Sequence, residues 1–116
     1  MDTAVWGTNG DYIKTIISED NVQVLKVTDV VYIESHGHYL SIYMTKGTIT
    51  IRSKVNEFLE GIEEMFLRVH QSFAVNMDYV RKLDQTEIEL KDGRKIPVSR
   101  RKHKDAKEKL IHYLQG

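Results

Sequence analysis

The chain is interrupted too often for long elements. Stretches rich in β-branched and aromatic residues, VVYIES (Val30–Ser35), YLSIYMT (Tyr39–Thr45) and TITIR (Thr48–Arg52), are each cut short by a glycine or a polar turn. Such stretches favour extended backbone. The short gaps between them allow hairpins but not the long crossovers that parallel pairing needs. Tyr12–Ile17 and Val22–Val27 predict two more strands around Glu19, Asp20 and Asn21. Val80–Leu83 and Glu87–Leu90 predict a further pair, and Asp92-Gly93 predicts a two-residue hairpin turn into Arg94–Val98. Pro97 places that last strand at a sheet edge, because it has no N–H for a second neighbour.

The period changes in two places. After Ser53, the expected N-cap, the apolar residues Val55, Phe58, Leu59 and Ile62 recur as one face of a short helix. Ser99 is the expected N-cap of a second helix with apolar positions Ala106, Leu110, Tyr113 and Leu114. Met1–Gly10 lacks periodicity and reads as an N-terminal tail or linker, anchored only by Val5 and Trp6. Residues 11–116 then form one domain. The fold class is mainly β, built from antiparallel sheets with short helices.

The chain has 116 residues, one proline and no cysteine, which excludes disulfides, a thiolate nucleophile and a cysteine-based zinc site. This composition fits a reducing cytoplasm. No apolar stretch approaches a membrane span, and no signal-peptide pattern opens the chain. Formal net charge is zero, but the charges are segregated. Arg94, Lys95, Arg100, Arg101, Lys102, Lys104, Lys107 and Lys109 crowd one end of the sequence, opposed there only by Asp105 and Glu108. Local sign decides which partner a surface attracts.

No nucleophile elbow, phosphate loop or HExxH is present. Ser72 near His70 does not by itself make a nucleophile–base pair. His36 and His38 flank Gly37 with the spacing of a metal pair, with His70 as a candidate third group, but glycine between them reads first as a bend. RVHQSFAVN (Arg68–Asn76) is more informative. Val69, Phe73 and Val75 share one parity, and Gln71 breaks it with a polar amide. Either Gln71 is buried with partners or the chain turns there and presents it outward. Ser99 as N-cap also puts Arg100, Arg101 and Lys102 in a first helical turn, against the helix dipole. Cations there, beside free backbone N–H groups, suit an anionic partner. That partner is nucleic acid, or alternatively an acidic protein or an anionic membrane surface.

VYIESHGHYLSIYMTKGTI, FLRVHQSFAVNMDYV and IELKDGRKIPVSRRK together resemble the LytTR domain, the DNA-binding module of LytR/AlgR-type bacterial response regulators. The resemblance spans about Tyr12–Leu114. Its most specific parts are Arg68, His70, Ser72, Val75 and Asn76, and the run Pro97–Arg100. It implies an elongated domain of small antiparallel sheets that reads double-stranded DNA through loops and element ends. Mapped onto matching positions, it implies base contacts from His38, Gln71 and Arg100. Phosphate contacts fall to Ser72, Ser99, Arg101, Lys102 and Lys104, while Arg68, His70 and Asn76 hold the loop. The DNA target it implies is two imperfect direct repeats bound by two molecules. It implies no cofactor, no catalysis and no membrane. Response regulators of this type carry an N-terminal receiver domain that this sequence does not contain, so the expectation is either an excised output domain or a stand-alone LytTR regulator.

Overall fold

The computed structural model describes residues 2–6 and 12–116, with side chains from Tyr12 onward. Among the described residues eleven strands form three antiparallel sheets. β1 (Asp2–Trp6), β2 (Tyr12–Ile17) and β3 (Val22–Lys26) make a meander in the order β1-β2-β3. The expectation of a tail is corrected in part: Asp2–Trp6 pairs residue for residue with Ile16–Tyr12. Met1 and residues 7–11 lie outside the described residues.

The central sheet contains β4 (Val30–His36), β5 (Tyr39–Met44), β6 (Gly47–Arg52), β7 (Phe66–His70) and β8 (Phe73–Asn76), in the order β6-β5-β4-β8-β7. β9 (Val80–Leu83), β10 (Glu87–Leu90) and β11 (Lys95–Pro97) form the third sheet, with Pro97 on its edge strand as expected. The molecule measures 42 × 33 × 23 Å.

Each face of the central sheet has its own core. On one side Ile16, Leu25 and Val27 meet Ile33, Leu40, Ile42 and Phe66, closed by Val55, Phe58 and Leu59. On the other, Leu67, Val69 and Val75 pack against Ile88, Leu90 and Ile96, closed by Ala106 and Leu110. β4 is therefore buried on both faces from Val30 to Ile33, which explains an apolar run without strict alternation.

Two helices close the cores. α1 (Val55–Leu59) is shorter than its apolar spacing predicts. Ser53 is not its N-cap: Lys54 holds that position, and the Ser53 hydroxyl donates to Lys54 O at 3.0 Å. The helix stops before Gly61, whose φ of 86° a side chain would disfavour. β2 then covers its exit. Tyr12 Oη donates to Gly61 O (2.5 Å), and Lys14 Nζ donates to Glu60 O (3.2 Å). Lys14 is buried, its ammonium 5.4 Å from the Phe58 ring centre.

α2 (Arg100–Gln115) lies along β7. At one end Ser99 N donates to Val69 O (2.7 Å). At the other, Lys109 Nζ donates to Glu63 O (2.8 Å) and Phe66 O (2.7 Å). The helix therefore runs antiparallel to β7. Tyr113 donates to Asp78, while Leu114, expected on the buried face, is exposed. The Asp92-Gly93 hairpin closes one residue wider than expected. Leu90 N donates to Arg94 O, giving a three-residue loop with Gly93 at φ 93°. Among the described residues no helix is long and apolar enough to cross a membrane.

Asn76 ties the layers at the sheet centre. It is fully buried; its Nδ2 donates to Val30 O (2.9 Å) and its Oδ1 accepts from Asp78 N (3.0 Å). Asn76→Ala strands both groups and is expected to cost about 3 kcal/mol in a urea unfolding curve. A loss below about 0.5 kcal/mol would mean that water replaces the amide.

Candidate nucleic-acid interface

Three turns gather at one end of the central sheet. β4 and β5 are joined by Gly37-His38, with His36 opposite Tyr39. Gly37 has φ 60°, and a Cβ built on it meets nothing within 4 Å. Its role is thus backbone geometry: a two-residue hairpin with glycine in its first central position. The turn leaves His38 exposed, and His36 Nε2 lies 3.5 Å from Glu34. Among the described residues no group of three His, Cys, Asp or Glu is placed to hold a metal ion.

β7 and β8 are joined by Gln71-Ser72, with His70 opposite Phe73. This resolves the broken alternation: Gln71 is not in a strand, and its side chain is exposed. A two-residue hairpin normally needs positive φ, yet among the described residues only glycines have it. A bulge between Arg68 and His70 takes up the misfit instead. Side chains hold the turn from within. His70 Nδ1 accepts from Ser72 N (3.1 Å), and its ring stands edge-on to Phe73. Arg68 donates to Asn56 Oδ1 (2.6 Å) and to Gln71 O (3.0 Å). Burial pushes its guanidinium pKa down, and Arg68 Nε has no hydrogen-bond partner among the described residues.

The start of α2 is the third component. Ser99 occupies the N-cap position, but its hydroxyl makes no capping bond. The first turn carries no acid, and Arg100, Arg101 and Lys102 open the helix.

Two backbone hydrogen bonds join these segments. Ser35 N donates to Ser72 O (2.8 Å), linking the strand leading to His38 with the Gln71 turn. Ser99 N donates to Val69 O, linking the start of α2 with the strand leading to Gln71. Gln71, Ser99, Arg101 and Lys102 line one cleft with His70 and Asp105. Arg100 is exposed beside Ser99, and Lys104 is exposed one turn along α2. Ser72 is half-buried. His38, Arg100 and Lys104 do not line that cleft.

Sequence reasoning did not single out Tyr39 and Arg52. They pair across β5 and β6 opposite His36, at this same sheet end, and both are exposed. The alternation of β6, with Ile51 buried and Arg52 outside, carried that signal for Arg52.

A family profile for the LytTr DNA-binding domain matches residues 20–111. The chain belongs to the LytTr DNA-binding domain family. It is 26% identical over 99 residues to the sensory transduction protein LytT of Bacillus subtilis, covering 80% of this chain and 41% of that protein. Against the transcriptional regulatory protein YpdB of Escherichia coli K12 the identity is 28% over 104 residues, covering 84% and 42%. The LytTr DNA-binding domain of a Bacillus cereus response regulator shares the fold with a TM-score of 0.67 at 22% identity, over 85% of this chain and 95% of that one. The chain thus spans less than half the length of these curated relatives. The small antiparallel sheets of the LytTr fold are those described above.

Arg68→Met should free the Gln71 turn without emptying its volume. The expected result is faster amide exchange at Ser72 and a stability loss of about 1 kcal/mol. Unchanged exchange would show that His70 and the Ser35–Ser72 backbone bond hold the turn without Arg68.

Proposed function

We propose that this LytTr domain reads the sequence of double-stranded DNA, as the output domain of a bacterial cytoplasmic transcriptional regulator of the LytR/AlgR type. The observation that carries the reading is the convergence of the His38 turn, the Gln71 turn and the cationic start of α2 at one end of the sheet. The names of the relatives, a sensory transduction protein and a transcriptional regulatory protein, support the regulatory role.

In this reading Gln71 and Arg100 contact base edges. Gln pairs bidentately with adenine and Arg with guanine, each worth about 1–3 kcal/mol of discrimination. His38 reads a third position. Ser72, Ser99, Arg101, Lys102 and Lys104 contact phosphates and set register. Two molecules occupy tandem imperfect repeats, and a receiver domain controls the output where the domain sits in a longer chain.

Selection of bound duplexes from a random pool tests the reading. A defined motif is expected, and a pool with no enriched motif would overturn sequence reading while leaving DNA binding intact. On the selected site, Arg100→Ala should cost about 1–3 kcal/mol and relax preference at one base pair. Equal losses on selected and scrambled duplexes would make Arg100 a phosphate contact. Lys104→Ala should weaken all duplexes alike and shallow the salt dependence by about one unit in log–log slope. An unchanged slope would remove Lys104 from the interface.

A further inference from the structure

Large apolar side chains exposed among the described residues fall mainly into two patches away from the three turns. The first is on the β2–β3 hairpin: Val22 is 63% exposed, Val24 59% and Ile17 47%. Register places Ile17 opposite Val22 and Thr15 opposite Val24, on the sheet face turned away from the core that takes Ile16 and Leu25. The second is at the end of α2, where Leu114 is 71% and Ile111 43% exposed. These two residues line a groove of about 520 Å³ with Leu110, Val80 and Leu83, running along β9.

The patches differ in shape and sign. The first is a projecting hairpin whose tip carries Glu19 and Asp20, both exposed. Glu57 and Glu60 line the adjoining cleft beside Ile17, against the single cation Arg52. The second is concave and rimmed by Arg81, Lys82, His103 and Lys107. Its one carboxylate, Asp84, accepts from Thr86 N (3.0 Å) and Glu87 N (3.1 Å), and Arg81 lies 3.5 Å from Glu89. Both patches also border a sheet edge, since β3 pairs only with β2 and β9 only with β10 among the described residues. Unpaired strand edges and exposed apolar patches both favour association.

We infer that the β2–β3 hairpin of one copy docks into the β9–α2 groove of a second copy, in a head-to-tail contact. Charge chooses this occupant. Either patch set against its own copy would put acid against acid or base against base. A head-to-tail contact sets Glu19 and Asp20 against Arg81, Lys82 and Lys107 while covering the valines and Leu114. Because the contact is heterologous, one copy keeps a free hairpin and the other a free groove. The inference does not depend on how DNA is read, because it concerns surfaces outside the three turns.

Sedimentation velocity from about 10 μM to about 1 mM tests it, a range suited to a weak contact. Two double variants are used: Val22→Lys with Val24→Lys, and Ile111→Lys with Leu114→Lys. All four positions are exposed, and retention of the parent thermal transition confirms folding. Wild-type protein is expected to grow in mean mass with concentration, and less so in high salt. Each double variant alone stays monomeric. An equimolar mixture forms dimer and nothing larger, because one intact hairpin meets one intact groove and the remaining pair sets lysine against lysine. Single-site DNA affinity of the hairpin variant stays within about twofold of wild type, which separates this contact from the DNA interface. Wild type that remains monomeric throughout, a double variant that still associates alone, or a mixture that stays monomeric would each overturn the inference.

Discussion

Two backbone hydrogen bonds, Ser35 to Ser72 and Ser99 to Val69, decide what this domain can present to a partner. They join segments far apart in sequence and need no particular side chain. A loop that recognises DNA must vary its side chains while keeping its position. Main-chain ties allow that, since substitution at His38, Gln71 or Arg100 leaves the donors and acceptors in place. The side chains that hold the turn, Arg68 and His70, bond within it, so they are distinct from the exposed His38, Gln71 and Arg100.

The scaffold is a sheet with a core on each face, which makes the ends of its strands the natural place for recognition. The faces are consumed by packing: β2 and β3 with α1 on one side, β9–β11 with α2 on the other. What remains at one end is the set of turns. α2 is fastened to β7 at both ends, by Ser99 and by Lys109. Its register against the sheet, and hence the place of Arg100, is thereby fixed. Burial lowers the pKa of Lys109, while Glu63 and Glu64 oppose the shift, so the clamp forms in a partly desolvated site.

Local signals were legible where local physics decides. Hairpins with glycine, the edge strand at Pro97 and the opening of α2 at Ser99 follow from φ preference, a missing donor and helix initiation. The break at Gln71 also marked its own turn, because parity cannot be violated cheaply in a half-buried strand. Signals failed where partners distant in sequence decide. Lys14 reads as a solvent residue in a strand, yet α1 offers its terminal carbonyl and Phe58 offers a ring, so the ammonium is buried. Asp2–Trp6 has too little pattern to announce a strand and gains one from the edge of β2. Ser53 loses the cap to Lys54 because α1 begins where the core admits Val55. Leu114 shares α2's apolar stripe but extends beyond what β7 and the third sheet can cover. For the site, the residue types and their turns could be read from the sequence. Their meeting at one end depends on the pairing of β4 with β8, which no local pattern encodes.

The start of α2 has a consequence for energetics. Three cations sit where a helix prefers negative charge, and the residue positioned to cap the helix leaves its hydroxyl unused. The first turn is helical all the same, held by the backbone bond from Ser99 N to Val69 O rather than by a side-chain cap. A polyanion placed at that turn would relieve the self-repulsion and offer acceptors to its free N–H groups together, so that binding there would stabilise the fold.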